Sequence, residues 1–352
     1  MRMTLSGPRA ASYILVVLTL AAAAHFGLGH ALIAGLFAFM MLDHAEDALL
    51  GAGASPRWAR WSSVALFVVV GALLAVIFAA FVRIGLERMP MLLDRMLPRV
   101  DSLAGRFGVA LPVDNVEDLR ALILSAVKDN ARSIETASGL MTRGFFQILI
   151  AIVVAILKFV SGPAAPENVP RGLDDEVLRE CGDRAALFSS SFDLVMGAQV
   201  LVAAINTALA AAFLIAFRIP FRTMLTLTTF VCGMIPIVGN VISNSLIVGA
   251  ALTRSDHLAL FALIFLVVVH KGGYFLNSRI VGARMETPTW AILLGLLIGE
   301  ALMGVTGVIL APTLIHYARE ELRALSGSLD GESEEARGLA GGGGRGGRAR
   351  LP

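Results

Sequence analysis

The sequence predicts an all-α integral membrane protein with about eight transmembrane helices, two of them broken or re-entrant, and with amphipathic helices outside the membrane. Hydrophobic residues make up 57% of the chain and charged residues only 16%, with a mean hydropathy of +0.77. These values differ clearly from those of ordinary soluble domains. The apolar residues form runs of about 20, the length that crosses a bilayer. Two of the runs are over-long and are interrupted by glycine and proline, as in transporters.

The first apolar tract, Ala11 to Leu42, is too long for one straight span. It is interpreted as two short helices joined near Gly27 and Gly29. The later segments are Ser63 to Val82, Gly144 to Phe159, Leu194 to Phe217, Phe221 to Leu252, Leu258 to Leu276 and Thr289 to Tyr317. A rival interpretation takes residues 1–24 as a signal peptide, because basic residues precede an apolar run that ends in three alanines. A retained helix is favoured because the apolar tract continues.

These segments predict five regions. They are an N-terminal helical pair and loop (1–60), a third span (61–82), amphipathic extramembrane helices (83–143), a C-terminal transmembrane bundle with broken helices (144–324) and a disordered Gly/Arg-rich tail (325–352). In the third region, apolar residues recur at helical spacing from Met89 to Phe107 and from Val116 to Ile134. These helices are expected to lie on the membrane surface, to pack on neighbouring subunits, or to form a small solvated cap.

The distribution of Lys and Arg predicts that both termini are cytoplasmic, since more of these residues fall in the short loops that would then lie inside. The lipid bilayer is the expected surroundings of the chain. The net charge of +2 provides no long-range field for nucleic acid, and no nucleic-acid partner is expected. Two scattered cysteines are too few for a disulfide framework or a tetrahedral metal site, and the lack of a nucleotide-binding loop argues against ATP-driven transport. No cofactor, no metal and no enzyme activity are expected.

The first interrupted segment contains the sequence VCGMIPIVGNVISN, residues 231–244. Pro236 removes an N–H group, and Gly239 permits unusual backbone angles. Free backbone groups at membrane depth are tolerated only where protein or water satisfies them, so a broken helix or re-entrant turn is expected here. Asn240 and Asn244 are four residues apart and would share one face of a resumed helix. That face is a candidate substrate pathway.

The second interrupted segment, residues 287–317, contains Gly304, Gly307 and Glu300. A carboxylate near the bilayer centre is unfavourable against lipid, so Glu300 is expected to face protein or water and is a candidate proton-exchanging group. The alternatives are a structural ion pair with Arg279 or Arg284, or a protonated, hydrogen-bonded carboxyl. Asn277 is a further polar candidate for the pathway. Gln199 and Asn206 are interpreted as interhelical hydrogen-bonding residues.

Three stretches in the C-terminal part resemble the autoinducer-2 exporter family of bacterial permeases. They are TFVCGMIPIVGNVISN, HKGGYFLNSRIVGARMETPTW and LLGLLIGEALMGVTGVILAPTLIHY. The resemblance implies eight spans, a homo-oligomer in the bacterial inner membrane, and family-specific breaks at Ile235 to Asn240 and Gly304 to Gly307. Family members are associated with efflux of the furanone signal autoinducer-2, and some with sodium or proton exchange. The chain departs from the family pattern after Asn277, where many members carry a proline.

The leading hypothesis is therefore a permease that exports a small polar solute, such as autoinducer-2 or a related metabolite, with coupling to H⁺ or Na⁺. The alternatives are an oligomeric channel or membrane scaffold, whose interrupted helices serve packing alone, and a cation/proton antiporter. Saturable, gradient-coupled flux separates a transporter from a channel.

Overall fold

The computed structural model describes residues 7–106, 108, 138–162, 172–236, 238–280 and 288–342, with only the backbone at 138–142, 238, 270–280, 289 and 327–342. Regular structure in these residues is entirely helical. The helices are α1 (Gly7–His25), α2 (Gly29–Gly51), α3 (Pro56–Arg106), α4 (Ser138–Ser161), α5 (Leu173–Ala216), α6 (Arg222–Gly233), α7 (Val238–Leu252), α8 (Asp256–Ile280), α9 (Thr289–Met303) and α10 (Val305–Gly342).

The predicted class, an all-α membrane protein, is confirmed. Among the described residues four helices, α1, α3, α4 and α5, are long and apolar enough to cross a membrane. Shorter apolar stretches lie in α7, α8 and α9. Because the broken segments divide into helices too short to count as full spans, the predicted total of eight remains a prediction.

The N-terminal apolar tract forms two helices, as predicted. Gly27 lies in the turn between α1 and α2 with a φ of 65°, a left-handed conformation that glycine adopts without strain. Gly35 of α2 lies against the backbone of Ala151 in α4, so these two helices pack closely. At its start α2 meets α10, because Gly29 packs directly against Thr306.

Helix α3 continues without interruption past Val82, where the sequence predicted the end of a span, and includes Pro90 and Pro98. Its later part buries the predicted amphipathic face: Leu92 is fully buried in a core shared with α5, α6, α7 and α8. The face therefore packs on the same chain, whereas the sequence suggested the membrane surface, a neighbouring subunit or a solvated cap. The second predicted helix, Val116 to Ile134, falls outside the described residues. At the other end of the chain, α10 extends to Gly342, and residues 343–352 of the predicted tail fall outside the described residues.

The first interrupted segment is broken where the sequence predicted. Helix α6 ends at Gly233 and α7 begins at Val238. Pro236 lies in the connecting turn, where its missing N–H removes no helical hydrogen bond. Gly239 packs against the backbone carbonyl of Cys232, so α7 folds back onto α6. The segment is thus a helical hairpin, which we call the α6–α7 hairpin.

The second interrupted segment also forms a hairpin, with the break at a single residue. Gly304 has φ 60° and ψ −140°, a backbone region open essentially to glycine alone. Gly299 of α9 packs against the backbone of Gly307 in α10, and Gly295 packs against Ala311 and Ile315. These contacts make the two helices antiparallel. Gly307 therefore lies inside α10, where it permits close packing, and outside the break to which the sequence assigned it.

A cluster of charged and aromatic side chains joins α1, α5 and α10. The guanidinium carbon of Arg184 lies 3.9 Å from the ring centre of Tyr13, and its Nη1 donates to Glu180 Oε2 at 2.6 Å. Tyr13 and Tyr317 both donate hydrogen bonds to Glu321, at 2.9 and 3.2 Å. Arg184 is buried although charged. The start of α1 and the middle of α10 consequently lie at the same end of the bundle.

The contact between Gly299 and Gly307 generates a stability prediction. A methyl group on Gly307 would collide with the Gly299 carbonyl, so Gly307→Ala is expected to lower the free energy of unfolding by about 1–3 kcal/mol. Thermal unfolding in detergent measures the change. Gly71→Ala in α3 is the control, because open space surrounds that position and alanine favours a helix. Equal melting temperatures for the two variants would contradict the proposed packing.

Candidate functional site

A small polar cavity lies inside the bundle, next to the first break. Four helices contribute to it. Its lining residues are Asn206 and Ala210 of α5, Thr229 of α6, Asn240 and Asn244 of α7, and Phe265, Leu266 and Val269 of α8. The cavity offers about 20 Å³ to the centres of water molecules. One water needs about 10–15 Å³ on that measure, so the cavity has room for about one.

The chemistry of this cavity is neutral and rich in hydrogen-bonding groups. Asn206, Asn240 and Asn244 each bring a carboxamide, which both donates and accepts. None of the hydrogen bonds formed by the described residues uses these three carboxamides. The Thr229 hydroxyl donates to the Leu225 carbonyl at 2.8 Å, which leaves its oxygen free to accept. Such a cavity suits water or the hydroxyl and carbonyl groups of an uncharged solute.

The α6–α7 hairpin is attached to α5 at its tip. Gln199 of α5 donates through Nε2 to the carbonyl oxygen of Gly233, the last residue of α6, at 2.7 Å. Gly233 itself packs against Ala203, one turn further along α5. The hydrogen bond satisfies a carbonyl that the break deprives of its helical partner. The interpretation of Gln199 as an interhelical hydrogen-bonding residue is confirmed.

The open end of this hairpin is fixed by an arginine. Arg254, in the turn between α7 and α8, donates from Nη1 to the carbonyls of Phe217 and Arg218 at 3.0 and 2.8 Å. These carbonyls end α5, where a cation also interacts favourably with the helix dipole. The hairpin is therefore held by two contacts of different strength: a charged group at its open end and a single neutral amide at its tip.

The second hairpin places Glu300, Gly304 and Gly307 away from the cavity. None of the described residues of α9 or α10 lines it. Glu300 is exposed on α9, and no described side chain forms an ion pair with it. At the break, the Thr306 hydroxyl donates to the carbonyl of Met303 at 2.7 Å and so satisfies the last residue of α9. Among the described residues, Glu300, Gly304 and Gly307 therefore lie apart from the cavity that Asn240 and Asn244 line.

Both breaks nevertheless approach the same part of α5. Met303, at the end of α9, packs in the apolar cluster of Phe192, Met196 and Leu310. Gln199 lies one turn beyond Met196 and contacts the first break. The short stretch from Met196 to Ala203 is therefore in contact with one hairpin at each end.

Sequence reasoning found some of the lining residues and missed others. Asn240 and Asn244 share one face of α7 as predicted, and Pro236 and Gly239 shape the turn that precedes them. Asn206 was interpreted as an interhelical hydrogen-bonding residue, yet it lines the cavity. Thr229 carries no sequence signal, because only the fold of the hairpin brings α6 opposite α7. The side chain of Asn277, on α8, lies outside the described residues.

A helical membrane protein with two helical hairpins and an internal polar cavity has the construction of a membrane permease. Comparison with known families agrees with this class. The sequence pattern of the family described as AI-2E family transporter matches residues 12–327, nearly the whole chain. The chain belongs to this family, and the resemblance inferred from its C-terminal motifs is confirmed.

One curated relative comes from Bacillus subtilis (strain 168) and is named "Putative transport protein YdbI". It is 25% identical over 194 residues, which cover 53% of this chain and 55% of the relative. The chain therefore spans about half the length of the relative it matches. The family is one of transporters, which sets the protein apart from enzymes at the level of class.

The hydrogen bond at the hairpin tip generates the second prediction. Gln199→Met keeps the side-chain length but leaves the Gly233 carbonyl without its donor, which is expected to destabilise the protein by roughly 1–3 kcal/mol. Thermal unfolding, together with limited proteolysis at the turn between α6 and α7, measures the effect. Ser190→Ala on the same helix is the control, since that exposed hydroxyl bonds only within its own helix. A Gln199→Met protein as stable as the control would mean that the bond contributes nothing.

Proposed function

We propose that this protein is a secondary transporter that exports a small, uncharged polar solute of the autoinducer-2 type or a related metabolite. The observation that carries the proposal is a cavity beside a broken helix, lined by a hydroxyl and by three carboxamides that form no hydrogen bond with another described residue. Half-helix ends and interrupted backbone are the usual components of transporter binding sites. The described lining contains no charged side chain, which favours an uncharged solute over an ion.

The cavity has room for about one water, so a larger solute requires the α6–α7 hairpin to move away from α5 and α8. In this proposal the hairpin turns about its open end, where Arg254 holds it, and the bond from Gln199 is released. The released bond is a single neutral hydrogen bond, which contributes only about 0.5–1.5 kcal/mol net. Its rupture is therefore compatible with a repeated transport cycle.

We further propose how the protein is oriented in the membrane and which gradient drives export. Both termini lie on the cytoplasmic side of the inner membrane, and export is driven by H⁺ or Na⁺ entry. The contact between Tyr13 of α1 and Glu321 of α10 supports a common side for the two ends of the described chain. The mobile hairpin opens the cavity to each side in turn.

The third prediction concerns the asparagines. Asn244→Leu is expected to lower kcat/KM for autoinducer-2 export by about tenfold, because one hydrogen bond to an uncharged solute is lost. Radiolabelled solute flux in vesicles of purified protein, with an imposed pH or Na⁺ gradient, measures it. Ser245→Ala is the matched control, since it is the next residue on α7 and faces outward.

Saturable and gradient-driven flux that Asn244→Leu reduces would support the transporter. Unsaturable leak of equal size in both variants would instead indicate a channel. If neither the unchanged protein nor the two variants showed any flux, the interrupted helices would have only a packing role, as in a scaffold.

A further inference from the structure

A second, larger cavity lies between α2, α4 and α5, apart from the asparagine-lined cavity. It offers about 490 Å³ to the centres of water molecules, which is within the size range of small-molecule sites. Phe39 and Met40 of α2 form an apolar part of its wall. Three charged side chains also line it: Asp43 of α2, Lys158 of α4 and Asp193 of α5. The two cavities share no lining residue.

The charges of this second cavity face the same space without neutralising one another. Among the described residues, neither Lys158 nor Asp43 takes part in an ion pair within 4 Å, although both line the cavity. Asp193 Oδ1 lies 3.6 Å from His44 Nε2, and 41% of the Asp193 side chain is exposed. A cation on one side and two carboxylates on the other suit a ligand that itself carries both charges.

The three charged residues mark the level at which the apolar part of each helix ends. Asp43 directly follows the apolar tract that closes at Leu42, and Lys158 lies in the last turn of α4. Asp193 directly precedes the apolar run that starts at Leu194. Because all three residues line one cavity, that cavity lies at the boundary between hydrocarbon and water, which is the depth of lipid headgroups.

Apolar side chains lie exposed on the membrane side of this level. Both α4 and α5 pack on α2, and the cavity separates them at this end. Val154 and Leu157 are exposed on α4, and Leu194 and Leu201 are exposed on α5. Acyl chains can lie along these residues when a headgroup occupies the cavity. A lipid therefore fits the surroundings of the cavity better than a soluble compound does.

We propose that the cavity between α2, α4 and α5 binds the phosphoethanolamine headgroup of a phospholipid, with its phosphate against Lys158 and its ammonium against Asp43 and Asp193. A lysine ammonium donates to phosphate oxygens, and a primary ammonium offers three N–H donors to carboxylates. A phosphocholine headgroup has the same charges but no N–H donor, and a phosphoglycerol headgroup has no amine. The site therefore selects the headgroup with a primary amine.

Native mass spectrometry of the full-length protein tests this preference. The protein is stripped of lipid in detergent and mixed with equal amounts of phosphatidylethanolamine, phosphatidylcholine or phosphatidylglycerol that carry the same acyl chains. Phosphatidylethanolamine is expected to bind about tenfold more tightly than the other two lipids, because it alone forms charged hydrogen bonds with both sides of the cavity.

Two substitutions are expected to act differently on the three lipids. Asp43→Asn removes a partner of the amine and is expected to bring the retention of phosphatidylethanolamine close to that of phosphatidylcholine. Lys158→Gln removes the partner of the phosphate and is expected to weaken all three lipids. The matched controls are Asp47→Asn on α2 and Arg143→Gln on α4, which change the same charges outside the cavity. Misfolding cannot produce the loss of one headgroup alone.

Three results would overturn the proposal. Equal binding of the three lipids by the unchanged protein would show that no headgroup is selected, and equal losses in Asp43→Asn and Asp47→Asn would reduce the effect to general surface charge. O-phosphoethanolamine, the soluble headgroup, provides the third: displacement of the lipid by an equal concentration of this compound would make the ligand a free zwitterion. None of these measurements involves flux, so failure of the lipid site leaves the proposed transport function untouched.

Discussion

The fold depends on one constraint: backbone N–H and C=O groups at membrane depth must find partners inside the protein. In each broken segment, a side chain donates a hydrogen bond to the carbonyl at the end of the segment's first helix. Gln199 donates to the last carbonyl of α6, and Thr306 donates to the last carbonyl of α9. The donor comes from a neighbouring helix in the first case and from the hairpin itself in the second. The first hairpin is therefore attached to α5 at its tip, whereas the second caps its own break.

The two hairpins also differ in how closely their helices pack. In the α9–α10 hairpin, glycines at 295, 299 and 307 bring the two helices into backbone contact, with no space between them for a solute. The α6–α7 hairpin makes one such contact, at Gly239, and then diverges enough to leave a cavity lined by Asn240, Asn244 and Thr229. Dispersion and close packing drive helix association in lipid, so the glycine-rich pair is the rigid one. The asparagine-lined pair leaves a small polar cavity between its helices, which gives it space for movement.

Sequence reasoning predicted the class of fold, the split of the N-terminal tract and the positions of both breaks, because each depends on local composition. Hydropathy reports burial in lipid, and Pro236 or Gly304 acts on its own backbone. The reasoning was less successful where long-range packing decides. Thr229 and Asn206 line the cavity only because α6 folds back against α7 and α5. The continuity of α3 is a second case, since contacts of Leu92 and its neighbours with the core hold a helix that carries two prolines.

Glu300 is a residue that the sequence singles out without showing what it contacts. A carboxylate within an apolar span indicates that something other than lipid faces it, but the sequence does not say what. The hairpin geometry turns Glu300 away from the asparagine cavity, onto the exposed side of α9. The polar residues of the two hairpins therefore lie in different surroundings: Asn240 and Asn244 line a cavity inside the bundle, and Glu300 lies on its surface.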